Sequence, residues 1–147
     1  MNKIVFLFAA CAAATTLTHA QEYKVITTVE SIVPLGLGRS RMIEAKQPAD
    51  YKGLTTERTE GGKSDQGDVG RGDVKIDNFA ETKLLNFYSA VGINFQNIAS
   101  NDAVITSKLN DLAKEGWQLL FVTSGVESDA GKSDGQGIFI TRYVFRR

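Results

Sequence analysis

The 147-residue chain has one cysteine, Cys11, and one histidine, His19, and both fall in a segment that reads as a removable export signal. A domain freed of that segment has no disulfide to restrain it, so it must hold together by packing alone. The same gap removes Ser-His-Asp and Cys-His catalysis, imidazole general bases and the common zinc centres from what such a domain can do.

The export reading rests on the three-part layout of the first twenty residues: Lys3, an apolar stretch from Ile4 to Leu17, and the small-residue site Thr18-His19-Ala20. The apolar stretch is shorter than the roughly 20 residues of a spanning helix. Cleavage after Ala20 leaves 127 of the 147 residues, starting at Gln21, enough for one domain with a modest core. An alternative is a lipoprotein acylated at Cys11, because Phe8-Ala9-Ala10-Cys11 loosely resembles a lipobox, with Phe8 where that motif carries Leu. The expected location is therefore secreted or periplasmic, with an outer-membrane lipoprotein as the alternative.

Charge points to no polyanionic partner. Lys3 is the one charged residue of the first twenty, so of 17 basic and 17 acidic residues, 16 and 17 remain beyond them. A net of minus one exerts no long-range pull on nucleic acid. Arg142, Arg146 and Arg147 read as a solvated strand end, too few for a phosphate or lipid patch.

Tyr23 to Val33 alternates as a strand, with Tyr23, Val25, Thr27 and Val29 on one face and Lys24, Ile26, Thr28 and Glu30 on the other. Pro34-Leu35-Gly36-Leu37-Gly38 breaks it, and Arg39 to Ala45 reads as the returning strand of a hairpin. From Lys46 to about Asp77 the chain carries six glycines between Gly53 and Gly72 and few large apolar side chains. Such a segment cannot bury enough surface to offset its ordering entropy, and it is expected to be a long mobile insertion with a possible part in binding.

Phe79 to Val91 fits two descriptions. Ala80, Leu84, Phe87, Tyr88 and Val91 form a helical stripe, which favours a helix, yet the segment is also short and aromatic enough to be a strand beside Arg39 to Ala45. Gly92 ends it. Ile105, Leu109, Leu112 and Ala113 then follow helical spacing, with Ser100 or Asn101 as the cap, Asp102 near the positive end of the dipole and Gly116 at the left-handed C′ position. Trp117 to Thr123 is apolar on both faces, which predicts a strand in the middle of a sheet with Trp117 in the core. Ile138 to Phe145 is the last strand, placing Phe139, Tyr143 and Phe145 on one face and Ile138, Ile140 and Val144 on the other. The fold class is α+β: a small, mainly antiparallel sheet of about four strands, one packed helix and a polar insertion. One helix covers one sheet face only, so the other needs the 79–91 segment, the insertion or a partner chain.

Leu109-Asn110-Asp111-Leu112-Ala113-Lys114-Glu115-Gly116-Trp117, with the opening Glu22-Tyr23-Lys24-Val25 and the closing Arg142-Tyr143-Val144, resembles the small bacterial domain-of-unknown-function family 4177. The resemblance covers 23–45 and 101–147 and implies a short α+β domain, a strand meander with one helix, with no assigned activity. The stretch between Ala45 and Ser100 departs from it.

Other motifs carry little. Gly131-Lys132-Ser133 follows Gly125 at the wrong spacing for a phosphate loop and leads into no helix. Gly36 to Arg41 offers backbone amides with Arg39 and Arg41 as a weak anion site, though a hairpin turn explains it as well. Arg71-Gly72-Asp73 matches an integrin-binding tripeptide of the kind that recurs by chance. Glu127 to Asp134 and Asp65 to Asp73 supply hard oxygens without the order of a calcium loop. No catalytic, cofactor-binding or metal residues are assigned, and Gly116 and Trp117 are taken as structural. The expectation is an exported, non-catalytic binding module for a protein, peptide or envelope component, with self-association possible. The alternative class is a small carboxylate-dependent hydrolase, which requires a convergent acidic pair in a real pocket.

Overall fold

The structure, a computed structural model, describes residues 20–31, 39–58, 61–89, 91–126 and 137–147. The segment before Ala20 that reads as an export signal, the Pro34 turn and the Gly131-Lys132-Ser133 connection lie outside these residues. Seven strands are described: β1 (Tyr23–Ser31), β2 (Arg41–Ala45), β3 (Phe79–Lys83), β4 (Tyr88–Ser89), β5 (Gly92–Ile93), β6 (Gln118–Val126) and β7 (Ile138–Arg146). The long helix, α1, spans Phe95–Lys114. Five strands form one antiparallel sheet in the order β3-β2-β1-β7-β6, and β4 and β5 form a separate small hairpin. This is an α+β fold whose main sheet has one strand more than the sequence predicts, with the β4–β5 hairpin in addition.

The extra strand comes from Phe79–Lys83, for which the helical reading is wrong. Its five residues pair with β2 from Ala45↔Phe79 to Arg41↔Lys83. The stripe that suggested a helix dissolves in three dimensions: Leu84 is buried, while Tyr88 and Val91 are exposed. Pairing with a neighbouring strand overrides a local pattern that is only five residues deep.

Helix α1 begins six residues before Asn101. Asn94 is the N-cap, its side chain accepting from Asn97 N, so neither Ser100 nor Asn101 caps the helix. At the other end Gly116 takes φ +88°, Gly116 N donates to Ala113 O and Trp117 N donates to Leu112 O. This paired motif satisfies the last carbonyls and needs a residue free of a Cβ penalty at Gly116. It also turns the chain so that Trp117 enters the core at the start of β6.

The core joins Ile26, Met42, Leu84, Leu112, Trp117 and Phe145, with Val104, Leu109 and Tyr143 packed against it. On β1 the buried side is the mixed one, Ile26 and Thr28, and the apolar side with Val25 faces away from α1. Two polar side chains of β1 on the covered side have charged or amide partners. Glu30 Oε1 accepts from the buried Asn101 Nδ2 at 2.9 Å, and Lys24 reaches Glu44.

Asn101 also binds both backbone groups of Leu85, donating to its carbonyl and accepting from its amide, each at 2.8 Å. Asn97 Nδ2 donates to Asn86 O at 2.8 Å, and Ser40 Oγ donates to Asn86 Oδ1 while accepting from Ser31 N. These bonds fix the irregular 84–86 segment between α1 and the sheet, where its backbone groups would otherwise be buried without partners.

Between β2 and β3 the insertion is a surface lobe zipped at its base, where Lys46 N donates to Asn78 O and Asn78 N donates to Gln47 Oε1. Its ordered pieces are a 3₁₀ turn at Asp65–Asp68 and a single helical turn at Arg71–Val74, neither of which buries a residue. The Arg71-Gly72-Asp73 tripeptide lies in that turn.

Candidate binding face

Neighbouring strands stand about 4.8 Å apart, and a helix with its side chains is about 10–12 Å across. A single helix therefore covers two to three strands. Helix α1 lies over residues of β1, β2 and β7, which leaves the whole opposite face and the β6 margin without a covering element among the described residues.

The register of the sheet aligns one apolar row on that opposite face. Phe79 pairs with Ala45 on β2, Val25 pairs with Val144 and Val144 pairs with Phe121, so the row crosses all five strands. Val25 is 46 % exposed, Phe79 44 % and Phe121 56 %. The next row is mixed, with Ile43, Thr27, Arg142 and Thr123 in register, and Arg41 forms an ion pair with Glu81 beside it. An exposed apolar row bordered by charged side chains is the layout of a docking surface for an apolar segment with a polar rim.

The other concentrated chemistry lies on the helix side. Glu44 is buried and receives Lys24 at 3.1 Å, Lys46 at 2.8 Å and Lys108 at 2.7 Å. Burial alone would raise its pKa, but the three ammonium groups outweigh it and hold the carboxyl at about 2. Lys24 Nζ also lies 4.7 Å from the centroid of the Trp117 ring, and Arg147 Cζ lies 4.6 Å from the same centroid. Arg147 is itself paired with Glu22. Burial pushes the Tyr143 phenol upward, opposed by the Thr28 hydroxyl and aided by the charges of Glu30 and Asp102.

Among the described residues Glu44 is the one buried carboxylate, and a group held ionised by three cations cannot donate a proton near neutral pH. Asp50 and Asp73 line a surface hollow of about 290 Å³ in the lobe. Asp50 Oδ1 accepts from Lys52 N and Gly53 N of its own turn, and both residues are exposed. Among the described residues no three His, Cys, Asp or Glu side chains gather as a metal site.

The structure separates the residues singled out from sequence. Gly116 and Trp117 meet at the helix end as structural residues, with Trp117 5 % exposed. Arg41 faces Glu81 on the sheet, and Arg39 is exposed just before β2. Sequence reasoning missed Glu44, whose signal was a carboxylate in register with Ile26 on an otherwise apolar strand face, and Asn101, a polar residue inside the apolar helical stripe. Comparison with protein-family models, with curated proteins and with solved structures returns no match.

Proposed function

We propose that the protein is an exported, non-catalytic binding module that docks an apolar segment of a protein or peptide of the cell envelope across the open face of its sheet. The observation that carries this reading is the row Phe79, Ala45, Val25, Val144 and Phe121, which spans five strands without a covering element among the described residues. The lobe between β2 and β3 rises from the same edge of the sheet, next to Phe79, and supplies a polar border for partner choice. The export assignment rests on the layout of residues 1–20.

The test is site-specific photocrosslinking in the native envelope, with the crosslinker at Val25 or Val144 on the open face and at Thr106 on the exposed side of α1. A discrete adduct with another protein from the face positions, absent from Thr106 and lost when Phe79 is changed to Glu, is the expected result. No adduct from the face, or the same adducts from Thr106, would overturn the reading.

A further inference from the structure

Strand β6 combines three properties that edge strands of monomeric proteins avoid. It is nine residues long, Gln118 to Val126, and carries no charged side chain. Its apolar residues are exposed on both faces: Leu119 46 %, Leu120 39 %, Phe121 56 %, Val122 48 % and Val126 59 %. Its only sheet neighbour among the described residues is β7, so its far side presents unpaired backbone donors and acceptors. The opposite edge is different, since β3 is five residues long and carries Glu81 and Lys83, the usual protection against edge-to-edge pairing.

A strand apolar on both faces has the composition of a sheet interior, and in β6 that composition sits at an edge. The single irregularity, a register shift between Leu119 and Phe121, leaves Phe121–Val126 in unbroken register with β7. We infer that β6 pairs antiparallel with β6 of a second copy of this chain, joining two sheets into one of ten strands.

A second copy fits this edge for three reasons. Antiparallel pairing of a strand with itself is the self-complementary contact of a two-fold dimer, and it satisfies the same donors and acceptors on both sides. An uncharged strand meets its own copy without like charges opposed. The two-fold axis stands normal to the sheet, so both helices fall on one face with a trough between them. Leu119, Val122 and Val126 of both copies fill that trough, and Phe121 of both copies meets on the other face. An edge about 30 Å long at about 3.3 Å per residue, lined with apolar side chains on both faces, is on the scale of the smaller specific interfaces, about 1,000–1,200 Å² in total.

Sedimentation equilibrium of the purified protein tests this, with Val122→Lys and Val122→Glu as variants and Phe79→Lys on the opposite edge as control. Val122 is half exposed, and thermal melting checks that its variants fold. The wild type and Phe79→Lys should sediment at twice the chain mass, each Val122 variant alone at the chain mass, and the mixed Lys and Glu variants again at twice that mass. A wild type that stays monomeric throughout the accessible concentration range, or a dimer that survives Val122→Lys, would overturn the inference. The mass of the photocrosslinked adduct at Val25 and Val144 tells another protein from a second copy of this chain, so either proposal can fail without the other.

Discussion

Trp117 is tied to its surroundings by shape and by charge more than by hydrogen bonding. Its ring lies in the core and faces the cations of Lys24 and Arg147, while its Nε1 is buried without a partner among the described residues. Truncation to Ala should cost on the order of 3–5 kcal/mol, as for other large aromatic deletions. Trp117→Phe keeps the aromatic face and removes the unsatisfied N–H, so its cost should be much smaller, about 1 kcal/mol. Urea denaturation of the two variants separates these values. Glu44 gives a pH signature. Its folded-state pKa is lowered from 4.5 to about 2, so its contribution is fully present above about pH 4.5 and is lost as pH falls toward 2. With allowance for screening at the exposed Lys46 ammonium, the loss should be about 2 kcal/mol. Urea unfolding at pH 6 and pH 3 should show somewhat more than half of this loss in the wild type and a shallower fall in Glu44→Gln.

The elements differ in how plainly local sequence announces them. Strand β1 alternates along its length, a period of two with no helical counterpart, and β7 is legible as a run of aromatic and β-branched residues apolar on both faces. The end of α1 is legible because Gly116 and Trp117 are a stop and a core anchor in succession. Its start is not, since Ser100 and Asn101 read as caps, whereas the helix runs back to Asn94 and Asn101 is buried against Leu85. The segment 79–91 misleads for a related reason: its five apolar positions fit a helix, and the choice of strand lies in β2, more than thirty residues earlier. Position within the sheet is also nonlocal. Trp117 to Thr123 reads as a central strand from its composition, and β6 is an edge. The lobe offers a direct measurement at this scale. Its backbone bonds, such as Leu54 N to Tyr51 O and Asp73 N to Gly70 O, close short exposed turns. Amide exchange should therefore be rapid across the lobe and slow in β1 and β7. Replacing Gln47 to Asp77 with a short Gly/Ser linker should leave the fold intact and stabilise it by about 1–2 kcal/mol through the shorter closure.

The molecule as a whole is a sheet too wide for its helix. Five strands at their ordinary spacing exceed the breadth that one helix can shield, so exposed apolar surface follows from the architecture itself and is divided between the open face and the β6 edge. The two strands farthest apart in the chain are neighbours in space: β1 pairs with β7 along its full length, and Glu22 and Arg147 exchange two backbone hydrogen bonds of 2.9 Å each. The order in which the chain visits the sheet is consequently not dictated by the shape of the sheet. A peptide link from Arg147 to Glu22 in place of the residues before Glu22, with an opening in the lobe, would give a permuted chain that begins at β3 and ends at β2. The long β1–β7 seam would become a local hairpin, and only the shorter β2–β3 pairing would become remote. The mean sequence separation of contacts falls in that exchange, and small domains with lower separation fold faster.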